Sequence, residues 1–220
     1  MLAYVDGNAS EILQAKPQLD RAAAAALAAR LFPGAQAEPA ADSTLAYTCP
    51  RGGDICIGCF PGLTIIAASE FALDHPSQLP ARFLEAGGGR TVILHAMHSV
   101  VDWFAYAVWV DGKLQRSLSV APDSGIIEDI GARLAFEEPY WAGKHPAFEP
   151  GEEDGDYPFP FHPLELGDAA LQEFFGYQIE GAAEPGPVVD ADDIPLAGFR
   201  RAKPGWKFWE SGGLEKYATK

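Results

Sequence analysis

Apolar residues recur in two different patterns along the first 120 residues of the chain. The run 2–5 is continuously apolar and is closed by Asp6-Gly7, which predicts a strand entering a turn. The run 103–110 is apolar on both alternating sets of positions, one beginning with Trp103 and the other with Phe104. A strand with two apolar faces is typical of a sheet that is covered on both sides. We therefore expect 103–110 to be a central strand.

Asp111-Gly112 separates this run from a second run at 114–120. The Asp-Gly pair predicts a β-hairpin, because a type I′ turn needs positive φ at both central residues. In the second run, apolar residues alternate with Gln115, Ser117 and Ser119. This mixture predicts a strand that is solvated on one face.

Helical patterns flank these strands. We expect a helix that begins at Pro17, runs to about Leu31 and ends before Pro33-Gly34. The small residues of its alanine-rich body, 22–29, would let it lie close against a sheet. Residues 169–175 predict a second helix, with Asp168 as its N-terminal cap. Short apolar runs between 43 and 68, separated by Pro and Gly, are typical of a strand meander.

These elements together predict an α+β fold. We expect a single domain over 1–200, in which a mostly antiparallel sheet carries the N-terminal helix on one face. A Pro-rich, aromatic and acidic covering segment, 137–193, would pack across the sheet, and 201–220 would form a flexible basic tail. No apolar run is long enough to span a membrane, and the N-terminus lacks the pattern of a secretory signal. We therefore expect a cytoplasmic protein that does not bind membranes.

Charge is concentrated in the covering segment. The chain has a formal net charge of −15, and 137–193 contains 15 Asp and Glu residues against one base, Lys144. An acidic surface of this size repels phosphate backbones, so nucleic acid is not expected as a partner. Two interpretations of the acids stay open. They keep the segment solvated, or they form a docking surface for a basic partner, including the chain's own tail.

His95, His98 and Asp102 are the candidate catalytic residues. Imidazole and carboxylate side chains together make a metal site or a general base with its orienting partner. Spacings of three and four residues would bring all three side chains onto one face of a helix. On a strand, His95 would lie on the face opposite His98 and Asp102, and the histidines would then hold the local structure. No third strong ligand is present, so no metal and no cofactor is predicted.

Cys56 and Cys59 form a C-x-x-C, with Cys49 seven residues before it. A structural zinc site needs a fourth ligand that the neighbouring sequence does not supply, and a redox motif normally begins a helix. The apolar neighbours predict a strand, on which the two cysteines would point to opposite faces. We therefore expect buried, unpaired thiols.

Four phrases carry a resemblance to a known family: LHAMHSVVDW at 94–103, SGIIEDIG at 124–131, PYWAG at 139–143 and PFHPLELG at 160–167. With them the chain resembles an uncharacterised bacterial family known only as a domain of unknown function. The resemblance extends over most of 2–200 and leaves the tail outside. It implies no activity, cofactor or catalytic residue.

Two functional hypotheses follow from these patterns. The first is a non-catalytic binding module that acts on an unknown protein or small molecule through an acidic, aromatic surface. Its candidate binding residues are Trp103, Tyr140, Trp141, His162, Glu152, Glu153 and Asp154. The alternative is a hydrolase-like enzyme with a site of His95, His98 and Asp102, acting with or without a metal ion.

Overall fold

The computed structural model describes residues 1–32, 38–50, 53–148, 157–179 and 186–200. Within these ranges the chain forms ten strands and five helices. The strands are β1 (Leu2–Val5), β2 (Glu38–Pro39), β3 (Ser43–Thr44), β4 (Ile55–Phe60), β5 (Leu63–Ala67), β6 (Thr91–His98), β7 (Trp103–Val110), β8 (Lys113–Ala121), β9 (Gly125–Ile130) and β10 (Pro195–Arg200). The helices are α1 (Ala9–Gln14), α2 (Arg21–Leu31), α3 (Ala81–Gly87), α4 (Glu138–Trp141) and α5 (Pro163–Phe175). The predicted tail, 201–220, lies outside the described residues.

One antiparallel sheet organises the molecule. Its strand order is β2-β10-β4-β5-β1-β6-β7-β8-β9, and β3 pairs with β10 beside it. Every described pairing is antiparallel. The predicted α+β class with a mostly antiparallel sheet is therefore confirmed.

Strand β7 lies between β6 and β8 and is buried from Trp103 to Trp109, as its two apolar faces predicted. The turn that follows has φ of 49° at Asp111 and 71° at Gly112. Positive φ at both positions is the geometry that the Asp-Gly pair predicted for a hairpin.

The N-terminal alanine-rich helix covers one face of the sheet. Asp20 caps α2 by accepting the backbone N–H of Ala23 at 2.9 Å. Ala24 and Ala28 are buried in the same apolar cluster as Leu2 and Tyr4 of β1. The predicted packing of this helix on one face is therefore correct, although the helix begins at Arg21 and not at Pro17.

The opposite face is covered by α1 and by part of the covering segment, including α5. Phe159 and Phe161 are buried against β7 and β8, and Phe175 of α5 is buried beside β1. Helix α5 begins at Pro163, where the His162 side chain accepts the backbone N–H of Leu164. The prediction that Asp168 caps this helix was wrong, because the His162 cap and proline at the first helical position start the helix six residues earlier.

A buried ion network joins the sheet to the start of the covering segment. The Arg116 side chain of β8 is 0% exposed, and its Nε and Nη2 donate to the two Glu137 carboxylate oxygens at 2.8 and 2.7 Å. Arg116 also donates to Asp129, and the Tyr106 hydroxyl donates to Glu137 at 2.6 Å. The prediction that β8 is half-solvated was wrong, because these partners allow a charged residue to be buried there.

The same contacts determine the ionisation of Glu137. Burial raises the pKa of its carboxyl, but hydrogen bonds from Arg116 and Tyr106 outweigh burial and hold the pKa below the ordinary value of 4.5. A carboxyl with a depressed folded-state pKa contributes stability above pH 4.5. That contribution is lost as the pH falls through the lower folded-state pKa.

Removing one member of the buried Arg116–Glu137 ion pair is expected to destabilise the protein more than removing both members. Arg116→Met leaves the Glu137 carboxylate buried without its cation, which should cost about 3–5 kcal/mol in the free energy of unfolding. Arg116→Met/Glu137→Met should recover much of this loss. Urea unfolding followed by tryptophan fluorescence measures both variants.

Lys113→Met, at the exposed start of the same strand, is the matched control and should change stability by less than about 0.5 kcal/mol. If Arg116→Met were no more destabilising than Lys113→Met, the network would not stabilise the fold.

Candidate functional site

His95 is a buried histidine in the middle of β6. Its side chain is 4% exposed, and its Nε2–H donates to the carbonyl oxygen of Gly167 in α5 at 3.0 Å. Gly167 permits this close approach of helix and strand, because a Cβ there would overlap the sulfur of Met97. Burial lowers the pKa of the His95 imidazole to about 3, so the ring is neutral at physiological pH.

The structure does not bring the three predicted catalytic residues together. His98 lies three residues after His95 on the same strand, so the two rings point to opposite faces of the sheet. His98 is exposed, and Asp102 lies in the following turn with φ of 48°. The Asp102 carboxylate is 3.6 Å from Nε2 of His162, which is a different imidazole from the two predicted to accompany it.

His162 joins two elements through its two ring nitrogens. Its Nδ1 accepts the Leu164 N–H at 3.3 Å, so a neutral ring carries its proton on Nε2, facing Asp102. This contact connects the turn between β6 and β7 to the start of α5. His162 was predicted to be a binding residue, and its two described contacts are with other residues of the fold.

The remaining predicted binding residues differ in their accessibility. Trp103 is 7% exposed and donates to the Ser119 hydroxyl at 3.1 Å, and Tyr140 is 5% exposed. Trp141 is half-buried, with the Arg133 guanidinium 4.1 Å from the centre of its ring. Glu152, Glu153 and Asp154 lie outside the described residues. Of the four described candidates, Trp141 and His162 reach the surface.

The cysteines lie where strand geometry predicts. Cys56 and Cys59 are both buried on β4, and they belong to apolar clusters on opposite faces of the sheet. Burial raises the pKa of the Cys56 thiol to about 11. In the described part of the chain, no three His, Cys, Asp or Glu side chains gather in a way that could hold a metal ion.

An open groove of about 510 Å³ lies along the end of the covering segment. It is lined by Ala46, Gln178, Ile179 and 187–192. The Gly176 carbonyl, just after α5, accepts the N–H groups of Val188 and Val189 at 2.9 and 3.0 Å. These hydrogen bonds position one wall of the groove. The N–H of Ala46 donates to the Ala191 carbonyl at 3.2 Å and sets the other.

The groove combines apolar walls with acidic edges. Ile179 and Val188 are large apolar side chains exposed to solvent. Asp190 and Asp192 are exposed carboxylates in the same lining. Exposed apolar surface with a charged rim is typical of a surface that contacts a partner.

A smaller cavity of about 160 Å³ adjoins this groove. Met97 and Ser99 from β6 and its turn, Leu164 and Asp168 from α5, and Ile179 line it. Leu164 and Asp168 are four residues apart on α5 and therefore lie on the same helix face. Ile179 lines both the groove and the cavity, so the two spaces meet at this residue.

Neither the groove nor the cavity was predicted from the sequence, and neither Ile179 nor Val188 was a candidate residue. Each site combines residues that are far apart in the sequence, such as Ala46 with Asp190 and Met97 with Asp168. Only the concentration of acids in 137–193 pointed to this region.

Comparisons with known proteins give one match. The model of a family described as "Family of unknown function (DUF6928)" matches residues 1–199. No curated protein and no solved structure matches the chain. None of the helices in the described ranges is long and apolar enough to cross a membrane.

The neutral, buried His95 is expected to make stability depend on pH. Below pH 6.5 the unfolded chain binds a proton at His95 that the folded state does not bind until about pH 3, so stability falls as the pH decreases. Between pH 7 and pH 5 this residue alone should cost about 2 kcal/mol. His95→Gln keeps a donor for the Gly167 carbonyl but has no titrating group at this position. The stability of this variant should therefore fall less than that of the wild type between pH 7 and pH 5.

Urea unfolding of the wild type and of His95→Gln at the two pH values checks this expectation. His98→Gln, on the exposed end of the same strand, is the control and should follow the wild type. Equal losses in the wild type and in His95→Gln would show that His95 is not held neutral.

Proposed function

The chain belongs to this family of unknown function, and from its structure we propose that it is a non-catalytic interaction module that binds a basic protein partner through the covering segment 137–193. The proposal places the protein in the bacterial cytoplasm. All three cysteines are free thiols, which supports a reducing compartment.

The acid-rimmed groove is the observation that carries this proposal. Ile179 and Val188 offer apolar contact area, while Asp190 and Asp192 offer negative charge beside it. The groove lies in the segment that holds almost all of the net negative charge of the chain. Charge of one sign attracts a partner of the opposite sign and orients it, and apolar contacts then hold it in place.

Anchoring of the segment supports recognition by a preformed surface. The Glu137 carboxylate at its beginning is hydrogen-bonded to Arg116, and Phe161 is buried on the sheet. Near its end, the Gly176 carbonyl accepts the Val188 N–H. A surface that is already ordered loses little conformational entropy when a partner binds. Asp190 and Asp192 are therefore presented on an ordered scaffold and do not have to fold on binding.

The alternative of a hydrolase-like enzyme has less support. His95 is buried and neutral, and His98 points to the other face of the sheet. The carboxylate of Asp102 faces His162, whose second nitrogen is occupied by the Leu164 N–H. A general base needs a nitrogen within reach of substrate, and of the two predicted imidazoles the described side-chain contacts orient only that of His95, which is buried.

The probe for this proposal is a short fluorescein-labelled peptide of lysine, leucine and glycine, with a matched peptide in which glutamate replaces lysine. Fluorescence anisotropy should show binding of the lysine peptide alone, and raising NaCl from about 50 to about 300 mM should weaken it. Asp190→Lys/Asp192→Lys should weaken binding about tenfold or more. Charge reversal at Glu152, Glu153 and Asp154 should also weaken it.

Asp74→Lys/Glu85→Lys makes the same change in net charge at exposed positions outside the covering segment and serves as the control. This variant, His95→Gln and His98→Gln should bind like the wild type. Equal loss of binding in the control and in the groove variant would leave only non-specific attraction and would contradict the proposal.

A further inference from the structure

We propose that the 160 Å³ cavity beside the groove is an anchor pocket for one lysine side chain of the partner. This inference rests on the proposed function and specifies how the basic partner is held. The cavity is bounded by Met97, Ser99, Leu164, Asp168 and Ile179.

The size of the cavity suits a single unbranched side chain. At about 30 Å³ for each water-sized group, 160 Å³ holds about five such groups. A lysine side chain has five non-hydrogen atoms, whereas an arginine side chain has seven and ends in a rigid plane. Small-molecule sites are usually about 300–1,000 Å³, so this cavity is too small for a drug-sized ligand.

The walls of the cavity match the two parts of a lysine side chain. Met97, Leu164 and Ile179 are apolar and would contact the four methylene groups. Asp168 and Ser99 place a carboxylate and a hydroxyl at the same cavity, and these groups accept hydrogen bonds from an ammonium group. Hydrogen bonds between an ammonium and a carboxylate are about twice as strong as those between neutral groups.

Asp168 is held in place by the fold. Its side chain is on α5 and only 7% exposed, and its Oδ1 accepts the backbone N–H of Ile179 at 2.9 Å. This hydrogen bond positions Ile179, which forms the boundary with the groove. Glu165, three residues before Asp168 and exposed, adds negative charge near the cavity.

The shared boundary explains how a peptide could use both sites. A chain lying in the groove against Val188 would pass Ile179, from which a lysine side chain reaches the cavity. Apolar residues of the peptide would contact Val188 while further bases approach Asp190 and Asp192. The pocket therefore selects lysine at one position, whereas the rim selects general positive charge.

Methyl NMR tests the pocket directly, because the chain has only two methionines. With methyl-¹³C methionine in the full chain, n-butylammonium chloride serves as a mimic of the lysine side chain. The Met97 methyl signal should shift and saturate with a Kd of about millimolar, while Met1, which does not line the cavity, should not shift. The uncharged n-butanol should produce a much smaller shift at the same concentration.

Two variants separate the pocket from the groove. Asp168→Asn keeps an acceptor for the Ile179 N–H but removes the charge, and Ser99→Leu fills the cavity from an exposed position. Each should abolish the saturable Met97 shift and weaken binding of the lysine peptide about tenfold. Replacing one lysine of the peptide at a time by norleucine should identify a single position with an effect of the same size.

Each outcome has a distinct meaning. Peptide binding that is unchanged in both variants, or a Met97 shift that persists in Asp168→Asn, would overturn the pocket and leave the interaction module intact. Absence of peptide binding to the wild type would overturn the proposed function itself. A Met97 shift with butylammonium but no effect of any single norleucine would assign the pocket to free amines and contradict its role as a lysine anchor.

Discussion

The Arg116 guanidinium is fully buried on one face of the sheet, and a charge in that position is stable only when its hydrogen bonds and its charge are matched. Glu137 and Asp129 provide that match, and Tyr106 adds a donor to Glu137. Because Glu137 is the first residue of the covering segment, the pairing also determines where that segment leaves the sheet. The positions of Tyr140, Trp141 and the aromatic residues behind them follow from this point of attachment.

The two faces of the sheet consequently have different roles. One face is closed by α2 and α3, and small side chains such as Ala24 and Ala28 let α2 lie close to the strands. The other is covered by α1 and by described parts of the covering segment, which include α5 and most of the residues that line the groove. The imidazoles of His95 and His162 connect strands or turns to α5. Their described contacts hold this second layer in position, and we propose that the carboxylates and apolar side chains at its surface contact the partner.

Local patterns in the sequence predicted the sheet well. The two apolar faces of 103–110 and the positive φ required at Asp111-Gly112 depend on neighbouring residues alone, and both were confirmed. Predictions failed where a distant residue decides the outcome. Arg116 is buried because Glu137 lies opposite it. The start of α5 is a different kind of failure, because its signal, the His162 cap followed by proline, is local and was assigned to an extended aromatic stretch. The groove depends on Ala46 lying beside Ala191, a contact that no local pattern encodes.

Hydrogen–deuterium exchange of the full chain, with and without the lysine peptide, tests most directly where a basic partner binds. The account predicts that binding slows exchange in 97–99 and in 176–179 together with 186–192. Exchange in 74–87, which belongs to the loop and helix on the other face, should not change. Slower exchange confined to 74–87, or bound peptide with no change around Ile179 and Val188, would contradict the account.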